Sequence, residues 1–187
     1  MTNNNHMLPV GYMYKTVKAK PDWIKTHRVD DVYSVSCCVS TDFMDDWINQ
    51  WKHNGYWLFN SVQDIEEIAK NNNISLKDMT LFFYCSYQYQ WNEFDKKWIN
   101  FEPDIAFETH IIMPDNAELQ GYDVVSFIGE NSAGCSPLSC NQMADKLRVN
   151  NHCLFDNFDK TKAYIESGIF DSCEPGPYRI LAVYRIM

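Results

Sequence analysis

No stretch of this 187-residue chain is apolar enough to suggest a membrane-spanning helix. Its longest uncharged runs, residues 79–92 and 131–144, are 14 residues each and rich in Tyr, Gln, Asn, Ser and Cys. A bilayer span needs about 18–20 predominantly apolar residues. The opening MTNNNHMLPVGYMYK lacks the basic start and apolar stretch of a secretory signal, so none is expected. The sequence contains no GxxxxGKS/T, GxGxxG, GxSxG or HExxH. Phosphate-loop, dinucleotide-binding, hydrolase-elbow and zincin chemistries therefore lose their usual support. Repeats, low-complexity tracts and Pro/Gly/Ser linkers are absent as well, which leaves one globular domain over residues 1–187.

Cysteine is present in an odd number, seven, and no two form a C-x2-C knuckle. An oxidising compartment would leave one thiol over, and a chain this long can fold without staples. Reduced, mostly buried thiols are the expectation, in a cytoplasmic protein.

What the chain does have is charge of one sign in one place. Residues 1–28 carry a net +4, residues 29–130 a net −13, and the remainder balances, giving −9 overall. Five of the six Trp fall in the acidic block. Net negative charge speaks against non-specific binding to nucleic acid or membrane, and an acidic, aromatic-rich surface suits a basic protein partner.

Hydrophobic periodicity sets the expected fold. Alternation predicts strands at 10–17, 31–39 and 178–186, and the last has apolar residues on both faces, which suits a sheet interior. Aromatic-rich 79–91, an Asn92–Lys97 turn and 98–101 read as a hairpin, with further strands at 107–113 and 122–128 and a short run at 56–59. Helical signals follow Ser40/Thr41, with an apolar stripe of Phe43, Met44, Trp47, Ile48 and Trp51, and follow Ser61, with Val62, Ile65, Ile68 and Ala69 inward. Two more helices are expected from Ser139, with Gln142 at capping-box spacing, to about Arg148, and over 156–167. The sum is an α+β domain: a largely antiparallel mixed sheet flanked by about four short helices.

Two constellations of candidate functional residues stand out. Asp42, Asp45 and Asp46 with Asp64, Glu66 and Glu67 would decorate solvent faces of two helices, and Trp51, Tyr56 and Trp57 surround the turn between them. Rim carboxylates accelerate encounter with a cationic protein, and Trp and Tyr supply affinity. The expected function is a non-enzymatic binding domain, most economically a bacterial immunity-type neutraliser that occludes the basic active site of a toxin or effector. No cofactor is expected. The alternative rests on Cys135, Cys140, His152 and Cys153. Cys140 in a helical first turn would favour thiolate, with His152 as general base. Cys135, Cys140 and Cys153 would instead be soft ligands for a structural zinc.

Overall fold

The computed structural model describes residues 7–36, 41–42, 56, 58–101, 110–127 and 134–187, with backbone alone at 41–42. The strands are β1 (Met7–Thr16), β2 (Thr41–Asp42), β3 (Thr80–Tyr87), β4 (Tyr89–Asn92), β5 (Lys97–Asn100), β6 (Ala117–Ser126) and β7 (Tyr178–Ile186). The helices are α1 (Val62–Asn71) and α2 (Phe158–Glu166), and Met143–Asp145 makes one 3₁₀ turn. The strands form one sheet in the order β2-β1-β3-β7-β4-β5, with β6 also on β7, and every pairing is antiparallel. β3 and β4 follow one another along one edge of β7, and β6 lines the other.

β7 is central because its residues are apolar on both faces. Leu181 and Val183 join Phe82, Tyr84, Val125 and the α1 residues Ile65 and Ala69 in one core cluster. Tyr178 and Ile180 face the opposite way, packing with Trp91, Val124 and Ile165 of α2. α1 begins where Ser61 accepts the Asp64 N–H, and α2 where Asn157 Oδ1 accepts that of Lys160, so each helix has a side-chain N-cap.

The outer edge of β6 is covered rather than open. Tyr122 exchanges both backbone bonds with Phe155, Asn150 Nδ2 donates to Gln120 O, and Ser126 is bonded to Gly134 and Cys135. β6 bends at a register shift between Leu119 and Gly121, where Gly121 has φ +148°. A Cβ there would lie 2.7 Å from Phe155 O, so only glycine lets the covering segment approach.

The α+β class, the antiparallel sheet, the hairpin and the interior β7 match the sequence expectation. The count of about four helices does not: two are present among the described residues. The helix expected from Ser139 is a set of turns. Gln142, its supposed capping-box residue, has φ 60°, and the Met143 N–H bonds to Pro137 O rather than to the Ser139 carbonyl, both incompatible with a helix running on from Ser139. The helix expected after Thr41 lies outside the described residues. Residues 31–36 of the strand expected at 31–39 are irregular apart from one bridge, Ala19 to Asp31, while 37–39 are not described. The run at 56–59 contributes a single bridge, Phe59 to Tyr12. Residues 110–113 of the supposed 107–113 strand are not strand either, and 107–109 are undescribed.

Candidate functional site

α1 lies against the sheet through Ile65 and Ala69 and turns Asp64, Glu66 and Glu67 outward. All three carboxylates are exposed, and no described Lys, Arg or His lies within ion-pair distance of them. These are three of the six carboxylates that the sequence singles out, carried on a helix whose inner face is fixed. Asp42 pairs with Lys15 through the backbone of β2 and β1, and its side chain is undescribed. Asp45, Asp46, Trp51 and Trp57 lie outside the described residues.

Tyr56 is described and is buried, at 8 % exposure. Its ring packs edge-on against Phe101 at 5.6 Å, and its hydroxyl pKa is raised by burial. Its ring therefore belongs to the core rather than to an accessible rim. Beside it runs Arg179, a cation inside the protein. The guanidinium donates through Nε and Nη2 to Gln90 Oε1 at 3.3 and 3.1 Å and lies 3.9 Å from the Phe127 ring centroid. Desolvation pulls its pKa down to about 9, so it remains charged at neutral pH. Aromatic faces suit a desolvated guanidinium because their quadrupole is negative there.

Two further buried ionisable side chains, Lys15 and Asp123, hold residues 34–36. Lys15 Nζ donates to the carbonyls of Ser34, Val35 and Ser36 at 2.8, 2.7 and 3.2 Å. Asp123, fully buried, accepts from Ser34 Oγ and the Val35 N–H at one oxygen and from Ser136 Oγ at the other. These bonds hold the backbone of residues 34–36, while Asp31 and Tyr33 donate to the carbonyls of Asn151 and His152. Burial raises the Asp123 pKa, and its hydrogen bonds and Lys15 pull it back in part.

The alternative constellation is dispersed. His152 Nδ1 sits 2.6 Å from Asp31 Oδ1, its Nε2 is 3.3 Å from Asn151 Nδ2, and its ring stacks on Tyr33 at 4.0 Å. Cys140 is not among its partners; that thiol lies 3.9 Å from Ser139 Oγ. Cys153 is buried, and its pKa is pushed up chiefly by desolvation, with Asp123, Asp145 and Cys140 adding to the shift. No group of three or more His, Cys, Asp or Glu among the described residues is arranged to hold a metal, so Cys135, Cys140 and Cys153 do not converge as a zinc site. No helix among the described residues is long and apolar enough to cross a membrane.

The sequence reading missed Lys15, Asp123, Arg179 and the Asp31–His152 pair. A signal existed for the first three: each is a single charge inside an otherwise apolar alternation, in GYMYKTV, GYDVVSF and YRILAVY. A buried charge needs a partner.

Comparison with protein-family models, with curated proteins and with solved structures returned no match.

Proposed function

We propose that this chain is a non-catalytic binding domain that engages a basic protein through its acidic block, acting in the cytoplasm as a neutraliser of a toxin or effector. The observation that carries the reading is α1. Three exposed carboxylates, Asp64, Glu66 and Glu67, stand on a helix locked into the core by Ile65 and Ala69, and no described cation lies within ion-pair distance of them. A fixed helix presents its charges without a backbone ordering cost on binding, and complementary charge raises the rate of encounter. Asp42, Asp45 and Asp46 extend the acidic set in the sequence, with Trp51 and Trp57 as the aromatic anchors. The mechanism is occlusion: carboxylates cover a cationic site while the indoles exclude water from the contact.

The cysteine-enzyme reading receives less support. His152 already spends both ring nitrogens on Asp31 and Asn151, and neither bond goes to the Cys140 thiol that the reading makes the nucleophile.

The test is capture of basic proteins from native lysate at physiological salt by the wild-type chain and by a variant carrying Asp64→Lys, Glu66→Lys and Glu67→Lys. The expected result is a discrete basic partner that the variant loses while keeping the wild-type melting temperature. A partner retained by the charge-reversed variant overturns the reading.

A further inference from the structure

On a different part of the surface from α1, where Phe155 leads into α2, a cavity of about 200 Å3 is lined by Arg148, Phe155, Asp156, Asn157, Lys160 and Tyr164. Three of these side chains are charged, and none of the three has an ion-pair partner among the described residues. The opposite charges line one concavity without reaching one another. Unpaired surface charges are ordinary; two cations and one anion spaced around a hollow with an apolar wall are a more specific arrangement. That wall is the Phe155–Tyr164 pair, stacked at 5.2 Å between centroids and 28° between planes.

We propose that this cavity binds a small zwitterion, a free α-amino acid with an aromatic or branched apolar side chain. The carboxylate would lie between Arg148 and Lys160, the ammonium against Asp156, and the side chain along the Phe155–Tyr164 wall. Each feature of the lining then has a use. A simple anion would satisfy Arg148 and Lys160 but meet repulsion from Asp156, and a simple cation would meet two like charges. The volume lies below the ~300–1,000 Å3 typical of pockets for drug-sized ligands, which fits a single amino acid.

Isothermal titration with L-phenylalanine tests this, with L-phenylalanine amide, 3-phenylpropionate and inorganic phosphate as comparison probes. The expected result is saturable binding of L-phenylalanine and roughly tenfold weaker binding of the amide and of phenylpropionate, each lacking one charge. Arg148→Gln and Lys160→Gln should weaken L-phenylalanine, and Asp156→Asn should abolish its advantage over phenylpropionate. These residues are exposed, so the variants should fold, which circular dichroism checks. Three outcomes overturn the proposal: no saturable binding of L-phenylalanine, binding unchanged in all three variants, or phosphate bound more tightly than L-phenylalanine and tighter still in Asp156→Asn, the mark of a plain anion site. The charge-reversed α1 variant should bind L-phenylalanine like wild type, which separates this site from the acidic face.

Discussion

Lys15 and Asp123 hold the same short stretch of chain by its two kinds of backbone group. The ammonium takes the carbonyls of Ser34, Val35 and Ser36, and the carboxylate takes the Val35 N–H together with the Ser34 hydroxyl. Lys15 is 1 % exposed and Asp123 fully buried, so neither charge is solvated by bulk water. Side chains of β1 and β6 thus meet hydrogen-bonding demand of the backbone at residues 34–36.

The pair makes a pH prediction. Burial raises Asp123 above its ordinary 3.8. A carboxyl with a native pKa above its unfolded one binds more protons in the native state. Its stability contribution is therefore greatest below the unfolded pKa and falls as pH rises from there through the native one. Asp123→Asn should cost about 3 kcal/mol at neutral pH, because an amide N–H₂ replaces an acceptor facing hydroxyl and N–H donors, and the cost should grow in acid, where protonation of Asp123 stabilises wild type alone. Lys15→Met should cost a similar amount, and the double variant less than the sum. Urea midpoints across pH check this; parallel curves for wild type and Asp123→Asn would refute it.

The thiols give a chemical prediction. Desolvation pushes Cys85 up to about 12 and raises Cys153 and Cys173 as well. At pH 8 a pKa of about 12 leaves roughly one thiolate in ten thousand. Intact mass after iodoacetamide should show Cys85 and Cys153 unmodified in the native protein and fully alkylated in denaturant. Rapid native labelling of either, mapped by peptide digestion, would contradict their burial.

What was legible in the sequence divides along a physical line. α1, the β4–β5 hairpin and β7 announce themselves because local signals and tertiary context agree: Ser61 caps, Asn92 Oδ1 accepts from Phe94 and Asp95 in the turn, and the β7 alternation is apolar on both faces. The 31–36 segment misleads because its alternation is real but its partners, the 151–152 backbone for Asp31 and Tyr33 and the Lys15 and Asp123 side chains for 34–36, come together only in the folded sheet. The 139–148 segment misleads for a related reason. Its capping-box letters are present, yet Trp23 and Asp145 tie it to the 23–26 loop, over 110 residues away in sequence. Of the candidate site, the exposed carboxylates of α1 were readable from helical spacing. The burial of Tyr56 beside Arg179 was not, since nothing local brings residues 56, 101, 127 and 179 together.

Asp31 and His152 make the next prediction. Their 2.6 Å contact joins the 29–33 and 150–155 segments, with side chains 27 % and 20 % exposed. Backbone bonds from Asp30 and Asp31 to Asn151 O and from Tyr33 to His152 O run alongside. Because those bonds persist without the side chains, His152→Ala should cost only about 1–2 kcal/mol, part of it from the lost stacking on Tyr33. A double-mutant cycle with Asp31→Asn should return a coupling of about 1 kcal/mol that weakens at high salt. A coupling near zero at low salt would show that the two side chains are neighbours without interacting.

Gly121 supplies the most severe test of the architecture. Its φ of +148° is one that side-chain-bearing residues rarely adopt, and an added Cβ would lie 2.7 Å from Phe155 O and 2.8 Å from Leu154 Cβ. Both obstacles belong to the segment that covers the β6 edge, and Leu154 and Phe155 are themselves buried, so neither can swing aside into solvent. Gly121→Ala should therefore combine backbone strain with displacement of the 150–155 segment, at a cost above about 2 kcal/mol. Hydrogen exchange should show where the damage goes: the amides of Tyr122 and Phe155, which bond each other's carbonyls, should lose protection together, while those of the β1–β3 ladder keep theirs. Equal loss across both regions would mean that the β6 edge is not a separable layer and that the sheet opens only as a whole.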